Sequence, residues 1–285
     1  YRRVRSLMRR VLGCFTLLAA QNEIYEERLK SLGAPAERLL VTGSIKFDGV
    51  QTDRSNPKTE EIRRSFGIRD GEPVFIAGST QFPEEEYALE SWQALRAMFP
   101  DLRLILVPRH KERFEEVAQL VKSRALPLLR RSSVLGSHGA AGDEEAAHQS
   151  AAGQRPVLLL DTLGELGACW GLADVAFVGG SLTNRGGQNM IEPAAYGAAV
   201  LFGPNTRNFR DVVEMLLAGN RPIGVRDRDE LTAALRRLLR EPAAAAAQGR
   251  TAQDLVLSQQ GATSRTVSRL LELLPRRPHV PSRAA

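Results

Sequence analysis

The feature that most constrains the fold is a regular alternation of short apolar runs with helical stretches over the centre of the chain. The apolar runs of strand length are residues 74–77, 102–107, 126–129, 157–160, 175–178, 199–202 and 223–225. Helical stretches separate them at 57–66, 84–99, 111–123, 165–172, 191–196 and 208–217. Strands that are apolar on both faces are typical of a parallel sheet covered by helices on each side. The alternation therefore predicts a doubly wound α/β domain.

Boundary signals lie on either side of this domain. Asn22 predicts the cap of a helix that runs to Leu32 and ends at Gly33. The polar stretch 51–58 is typical of a linker. The predicted division is a first part at 1–48, a linker at 49–58, a domain at 59–260, and a C-terminal helix and frayed tail at 261–285.

Other segments carry less information. Residues 136–153 are rich in Gly, Ala and Ser and predict a mobile insertion. Pro242 predicts the first position of an Ala-rich helix, and a last helix is predicted at 262–274. We expect the tail from Pro275 to be frayed.

Composition restricts the class of protein. In this chain of 285 residues, hydrophobic residues make up 43% and charged residues 25%, which excludes wholesale disorder and collagen-like repeats. No apolar run approaches the roughly 18 residues that cross a bilayer. The two cysteines, Cys14 and Cys169, form neither a disulfide framework nor a zinc cage, which favours a reducing, cytoplasmic setting. Because the chain begins with Tyr1, we expect an N-terminal part to be missing.

A basic cluster lies at the start of the chain, whose formal net charge is +6. Its members are Arg2, Arg3, Arg5, Arg9 and Arg10. Such a cluster suits nucleic acid, an anionic membrane surface or an anionic substrate, and it also suits a solvated helix face. Aromatic residues that stack on bases are not interleaved with these arginines. The pattern therefore favours a membrane surface over nucleic acid.

Polar and glycine-rich turns follow most of the predicted strands. These turns are residues 78–80, 108–110, 161–165, 179–181 and 186–193. The carboxyl ends of parallel strands share one edge of the sheet, where α/β folds bind their ligands. The turns therefore predict a binding site at that edge.

The most glycine-rich turn contains Gly179, Gly180, Gly186 and Gly187, and a helix is predicted to start near Asn189. Glycines let the backbone approach a ligand closely, and a helix N-terminus directs N–H groups toward an anion. The spacing matches neither the Walker loop nor the dinucleotide fingerprint. Phosphate binding and a loop that needs unusual dihedral angles both remain open.

Charged residues near this edge have alternative explanations. Arg109 could bind a phosphate or form a surface ion pair. Glu192 could accept hydrogen bonds from ribose hydroxyls or stabilise the dipole of its own helix. His110 could be a general base or a polar residue of the turn. Lys46 suits developing negative charge at a cleft edge, or plain exposure. Asp227, in an Asp-Arg-Asp triplet, is better explained as a helix cap. We expect no metal site, because no further ligand stands at metal spacing.

Seven motifs follow one another along the chain. They are Gly-Ser-Ile-Lys-Phe-Asp at 43–48, Ala-Gly-Ser-Thr at 77–80, Leu-Val-Pro-Arg-His at 106–110, Asp-Thr-Leu-Gly-Glu-Leu at 161–166, Phe-Val-Gly-Gly-Ser-Leu at 177–182, Gly-Gly-Gln-Asn-Met-Ile-Glu-Pro-Ala-Ala at 186–195 and Gly-Pro-Asn-Thr-Arg-Asn-Phe at 203–209. Together they resemble the 3-deoxy-D-manno-octulosonic acid (Kdo) transferases, glycosyltransferases of lipid A. The resemblance runs from about Phe15 to Leu217. It implies a GT-B fold, with a nucleotide-sugar donor domain at 59–260 and the end of a Rossmann-like acceptor domain at 1–48.

The same resemblance implies an activity and partners. The family transfers Kdo from CMP-Kdo to the lipid A precursor lipid IVA in lipopolysaccharide biosynthesis, with inversion and without a metal or other cofactor. The implied partners are the CMP-Kdo donor, the lipid A precursor and an anionic membrane surface, with no nucleic acid. The implied location is the cytoplasmic face of the inner membrane, with this chain attached peripherally.

The resemblance also implies residue roles. The implied donor-binding residues are Pro108, Arg109, Leu163, Gly164, Glu165, Asn189, Met190, Ile191, Glu192, Ser79 and Thr80. Arg109 would hold the phosphate or base, Glu192 the ribose hydroxyls, and Ser79 with Thr80 the phosphate or the sugar carboxylate. The implied catalytic residue is Lys46, which would stabilise the charge of the departing phosphate.

Two positions depart from the family pattern. Gln188 stands where the family usually has His, and Gln81 stands where it has a basic residue or His. The family's general base is a glutamate near the start of the acceptor domain, which residues 1–48 do not match, so we expect the isolated chain to be inactive. A different GT-B enzyme, such as a nucleotide-sugar epimerase or hexosyltransferase, and a non-catalytic nucleotide-binding fragment remain alternatives.

Overall fold

The computed structural model describes residues 4–136, 155–219 and 223–274. Its strands are β1 (Leu18–Ala20), β2 (Leu39–Val41), β3 (Val74–Thr80), β4 (Arg103–Pro108), β5 (Leu128–Arg130), β6 (Val157–Leu159), β7 (Val175–Val178), β8 (Ala199–Phe202) and β9 (Ile223–Gly224). Its helices are α1 (Arg5–Leu12), α2 (Glu23–Ser31), α3 (Pro57–Ser65), α4 (Glu84–Leu95), α5 (Phe114–Ser123), α6 (Arg131–Gly136), α7 (Leu166–Cys169), α8 (Ile191–Ala195), α9 (Arg210–Gly219), α10 (Arg228–Arg240), α11 (Pro242–Ser258) and α12 (Ala262–Leu273). Single 3₁₀ turns occur at Ala36–Arg38, Ile45–Phe47, Lys111–Arg113, Trp170–Leu172 and Arg207–Phe209.

The chain divides into two units, residues 1–49 with 257–285 and residues 50–256. In the first unit, β1 and β2 pair in parallel, and α2 begins at Asn22, whose side chain accepts a hydrogen bond from the Tyr25 N–H as predicted. The Asp48 carboxylate accepts hydrogen bonds from the Gly261 and Thr263 N–H groups, at 2.7 and 2.5 Å. These bonds attach the start of α12 to the end of the segment 1–49. The assignment of this segment to an acceptor domain stays a prediction.

The second unit is built on a seven-stranded sheet in the order β5-β6-β4-β3-β7-β8-β9, and every neighbouring pair is parallel. The strands are short and buried on both faces, as their continuous apolar runs predict. β3 lies between β4 and β7. The chain therefore places β4, β5 and β6 on one side of β3, with β6 between β5 and β4, and then crosses to β7 on the other side.

Alternate residues of each strand face opposite helix layers. On one face, Phe75 of β3 and Phe177 of β7 lie in a buried apolar cluster with Trp92 of α4, Val117 of α5 and Leu235 of α10. On the other face, the ring of Trp170 packs so closely on Gly78 of β3 that a Cβ there would lie 2.4 Å from it. The doubly wound α/β fold is thus confirmed.

Most predicted elements are confirmed, and the differences have local causes. Residues 78–80 were predicted as a turn, but they end β3, where Ser79 with φ +54° accommodates an irregularity in the pairing with β4. α4 ends at Leu95 rather than at Phe99, ahead of Pro100, before which helical backbone is disfavoured. α6 was not predicted. The predicted mobile insertion, apart from Gly136, and the predicted frayed tail lie outside the described residues.

Candidate functional site

The candidate site lies at the carboxyl ends of β3, β4 and β7, where the direction of strand order changes. In doubly wound sheets this switch point leaves a crevice in which ligands bind. Ser79 and Thr80 end β3, Arg109 follows β4, and Gly179 and Gly180 follow β7. The fold therefore brings together three of the turns that the sequence singled out.

The turn after β7 is organised by Glu84, a residue that the sequence analysis missed. The Glu84 carboxylate is fully buried and accepts hydrogen bonds from the N–H groups of Gly180 (2.7 Å), Ser181 (3.0 Å) and Leu182 (2.9 Å). It also accepts one from the Gln81 N–H at 3.0 Å. Burial raises the pKa of Glu84, and these N–H groups act in the opposite direction. The only signal was a run of acids after a strand, which helix-dipole stabilisation explains equally well.

These contacts explain the first two glycines within the protein itself. Their N–H groups do not await a ligand anion, because that of Gly180 donates to Glu84 and that of Gly179 donates to the Gly78 carbonyl at 2.9 Å. A Cβ on Gly179 would lie 2.5 Å from Thr80 Cα and 2.8 Å from Glu84 Oε2. Close approach of backbone to backbone is thus the reason for Gly179.

The second glycine pair is fixed by the segment after β8. Asn208 donates from its N–H to the Gly186 carbonyl at 2.9 Å, and its side chain donates to the Arg185 carbonyl at 2.9 Å. Gly186 and Gly187 both have positive φ, at +90° and +78°, which favours glycine. Hydrogen bonds from Asn208 and the two glycine conformations therefore fix the loop that leads to α8.

Asn189 and Glu192 form a hydrogen-bonded pair at the start of α8. Asn189 Oδ1 accepts from the Ile191 N–H at 3.0 Å, and Asn189 Nδ2 donates to Glu192 Oε1 at 2.9 Å. The helix begins at Ile191, where the predicted helical stretch 191–196 starts, and Asn189 lies just ahead of it. Met190 and Ile191 are fully buried, so neither residue is exposed to a ligand.

Glu192 is half-buried and close to a positive charge. Burial raises its pKa, and the effect is partly offset by hydrogen bonds from Asn189 and Trp170 and by the charge of Arg109. Arg109 itself is exposed, and its N–H donates to the Thr80 carbonyl at 3.0 Å. The fold thus brings the carboxylate and the guanidinium, predicted from separate motifs, to one place.

The other predicted site residues at this edge of the sheet differ in how far they are exposed to a ligand. Pro108 ends β4 and is buried, and His110 is exposed. The Thr80 hydroxyl is buried and donates to the Val107 carbonyl at 3.4 Å, so it is directed into the sheet. Ser79 is buried as well, with 8% of its surface exposed.

The loop after β6 is held by ion pairs that the sequence analysis did not identify. Arg131, which is 2% exposed, pairs with Glu165 at 2.7 Å, and Thr162 also donates to the Glu165 carboxylate. Glu165 is therefore committed to the protein, while Leu163 and Gly164 are exposed. The signal was available, because Arg131 directly follows a strand at the same edge, as Arg109 does.

A second ion pair supports the same loop. Arg130 donates from Nε to Asp161 Oδ2 at 2.7 Å, and Ser132 donates to Asp161 from its N–H at 2.8 Å. Burial acts to raise the pKa of Asp161, but the hydrogen bonds of Ser132 and the guanidinium of Arg130 outweigh it, so the pKa lies below its ordinary value.

Two other predictions, Lys46 and Asp227, fall outside this cluster of residues, whereas Gln188 lies within it. Lys46 lies in the first unit, exposed in a 3₁₀ turn, and its catalytic role stays a prediction. Asp227 caps α10 by accepting from the Glu230 N–H at 2.9 Å, which confirms the capping interpretation. Gln188 lies beside Gly180, 3.3 Å from the position of a Cβ there. Within residues 4–136, 155–219 and 223–274, no three His, Cys, Asp or Glu side chains are grouped to hold a metal.

Sequence comparisons identify the family. The family model described as 3-deoxy-D-manno-octulosonic-acid transferase (kdotransferase) matches residues 1–49. The 3-deoxy-D-manno-octulosonic acid transferase of Haemophilus influenzae is 34% identical over 275 residues, which are 96% of this chain and 60% of that protein. The enzyme of the same name from Bordetella pertussis is 35% identical over 271 residues, 94% of this chain and 59% of that protein. The chain belongs to the 3-deoxy-D-manno-octulosonic acid transferase family. It spans about 60% of the length of these relatives.

Solved structures agree with this family and with the fold. The C-terminal CMP-Kdo binding domain of WaaA from Acinetobacter baumannii is 28% identical, with a TM-score of 0.59, and the match covers 70% of this chain and 96% of that one. The UDP-GlcNAc 2-epimerase from Neisseria meningitidis is 12% identical, with a TM-score of 0.57, and the match covers 92% of this chain and 62% of the epimerase chain. At this identity the match shows the fold alone. The fold expected from the family, GT-B, is confirmed.

The close packing of Gly179 leads to a first prediction. Gly179→Ala would force a methyl group against the backbone of Thr80, and we expect it to lower the free energy of unfolding by about 1–3 kcal/mol. Both tryptophans lie in residues 50–256, so urea unfolding followed by tryptophan fluorescence reports on this unit. Gly167→Ala, where nothing lies within 4 Å, is the control and should not destabilise. Equal stability of the two variants would contradict the packing.

The ion pair of Asp161 leads to a second prediction, on pH. Because the pKa of this group is lowered by folding, its stabilising effect is present above its unfolded pKa of about 3.9 and is lost as the pH falls through its folded pKa. Asp161→Asn should therefore cost about 1–3 kcal/mol at pH 7, and the difference from the unchanged chain should shrink in acid. Asp70→Asn, at a fully exposed side chain, is the control. A deficit that is independent of pH would contradict this account.

Proposed function

We propose that this chain carries the donor-binding part of an enzyme that transfers Kdo from CMP-Kdo to the lipid A precursor lipid IVA in lipopolysaccharide biosynthesis. One observation carries the proposal. Arg109 and Glu192 lie near the switch point of the sheet, close enough for the Arg109 charge to act on the pKa of Glu192, and the match of this chain to the CMP-Kdo binding domain of WaaA covers 96% of that domain. The family membership supports a glycosyltransferase, and these residues supply what a nucleoside monophosphate needs.

The ribose and the phosphate have separate partners in the proposed complex. Glu192 accepts hydrogen bonds from the ribose hydroxyls, since its carboxylate has oxygens in reach of a diol and is positioned by Asn189. Arg109 is exposed at the same edge and binds the phosphate through its planar guanidinium. The exposed backbone at Leu163 and Gly164 lines the nucleotide.

The proposed reaction is a single displacement. The acceptor hydroxyl loses its proton to a general base and attacks the anomeric carbon, and the bond to CMP breaks on the opposite side, which inverts the configuration. The leaving group carries its negative charge on a phosphate, which Arg109 binds without a metal, and Lys46 keeps the charge-stabilising role that the family resemblance implies. The base is the family's glutamate, in a part of the acceptor domain that residues 1–48 do not match.

The acceptor is a lipid, and α1 presents a surface that suits a membrane. Leu7 and Val11 lie four residues apart on one helix face and are 59% and 45% exposed. Arg5 and Arg10 are exposed on the same short helix. Exposed apolar residues next to arginines favour an interface with anionic lipids, so we propose peripheral attachment to the cytoplasmic face of the inner membrane. Among the described helices, none is both long and apolar enough to cross a bilayer.

Donor binding by the full 285-residue chain tests the proposal. Isothermal titration should show binding of CMP, and weaker binding of 2′,3′-dideoxy-CMP, which lacks the diol. Glu192→Gln should weaken CMP binding by about 10- to 100-fold, since a hydrogen bond to a charged group contributes about 1.5–3 kcal/mol. The same variant should hardly affect the dideoxy nucleotide, because the partner of Glu192 is already absent.

Glu214→Gln, at an exposed position of α9, is the control for the change of charge. If Glu192→Gln weakens both nucleotides equally, Glu192 does not bind the ribose. If the unchanged chain binds UDP-sugars tightly and CMP not at all, the donor is a different nucleotide sugar, and an epimerase or a hexosyltransferase becomes the better proposal.

Membrane attachment is tested separately by vesicle sedimentation. We expect binding to phosphatidylcholine vesicles only when they contain phosphatidylglycerol. Replacing Arg5 and Arg10 by Ala should weaken it about thirtyfold, at about 1 kcal/mol per arginine. The matched control replaces Arg236 and Arg237, exposed on α10. Equal binding by the two double variants would show that α1 is not the attachment surface.

A further inference from the structure

The backbone after β7 forms an anion site that the protein itself fills. The N–H groups of Gly180, Ser181 and Leu182 come from consecutive residues and converge on one point. Successive N–H groups that converge in this way bind anions, including phosphates. Here the anion is the carboxylate of Glu84, which is fully buried.

The contacts of this carboxylate favour its charged form. Oε1 accepts from the Ser181 and Leu182 N–H groups, and Oε2 accepts from the Gly180 and Gln81 N–H groups. Each oxygen therefore has two donors, and a proton on either oxygen would displace one of them. With these four donors the carboxylate holds a negative charge at the end of β7, although burial leaves its pKa above the ordinary value.

The position of this charge restricts what the crevice accepts. Glu84 joins the loop after β3 to the turn after β7, so it lies at the switch point where the ligand binds. A ligand phosphate cannot use N–H groups that already have an acceptor. A phosphate placed next to Glu84 would also face a like charge. Arg109, an exposed cation of the same edge, provides for one phosphate near Glu192.

We propose that Glu84 is a positioning residue that determines specificity, restricting the crevice to nucleotides with a single phosphate and disfavouring nucleoside diphosphates. The proposal rests on the proposed function, because it refers to the donor-binding crevice. It explains how a GT-B fold, which in other proteins accommodates diphosphate nucleotides such as UDP-GlcNAc, can select a donor linked through one phosphate.

The test compares CMP with CDP by isothermal titration, using the full chain. For the unchanged chain we expect CDP to bind about tenfold more weakly than CMP. Repulsion of this size is expected between the second phosphate and the Glu84 carboxylate several ångströms away, with partial screening by solvent. Glu84→Gln retains the shape of the side chain and removes the charge, so the ratio should fall toward one. Glu86→Gln, whose carboxylate pairs with Arg124 on the helix surface, makes the same change of net charge and should leave the ratio unchanged.

Each outcome decides between the alternatives. Equal affinity of the unchanged chain for CMP and CDP overturns the proposal without any variant. A Glu84→Gln variant that is folded by circular dichroism and loses affinity for both nucleotides equally shows a purely structural role, which also overturns it. If neither nucleotide binds the unchanged chain, the proposed function fails, and the specificity proposal fails with it.

A second variant covers the case in which Glu84→Gln does not fold. Glu84→Ala leaves space for a small carboxylate, and formate should restore both the fold and the preference for CMP, because it returns a negative charge to the same N–H groups. Chloride at equal ionic strength is the control. Restored folding with equal affinity for CMP and CDP would overturn the proposal.

Discussion

Four backbone N–H groups that donate to one buried carboxylate hold the centre of this structure. Glu84 connects the loop after β3 with the turn after β7. β3 and β7 are the neighbouring strands at which the strand order of the sheet reverses. Removal of Glu84 would leave two buried and two partly buried donors without this acceptor, and each buried one costs about 1–3 kcal/mol. The shape of the crevice depends on this interaction, because Gly179 packs directly against Thr80 and Glu84.

The charged residues at this edge divide into two groups with different tasks. Glu84, Asp161 and Glu165 are satisfied within the protein, by backbone N–H groups in the first case and by arginines in the other two. Arg109 and Glu192 remain at the surface of the crevice, close enough for the guanidinium to influence the pKa of the carboxyl group. The first group fixes the loops, and the second is placed to meet a nucleotide. This division explains why a turn with several glycines need not be a phosphate loop.

The residues of the proposed donor site other than Lys46 lie within residues 50–256, which form a unit of their own. The solved domain of WaaA, which covers 70% of this chain, is likewise a C-terminal domain named for CMP-Kdo binding. Binding experiments on the present chain therefore address the nucleotide directly.

The sequence by itself determined the doubly wound sheet, the caps at Asn22 and Asp227, and the edge at which the site lies, because these follow from apolar runs and from hydrogen bonds between near neighbours. It also identified Arg109 and Glu192 through the family motifs. Only the tertiary structure decided which acids remain available to a ligand. Glu84 and Leu182 lie 98 residues apart in sequence, so no local pattern shows that they are bonded. Glu165 likewise meets Arg131 only when β5 and β6 pair. Whether a charged side chain stabilises the fold or binds a ligand depends on long-range neighbours, and folding alone brings these together.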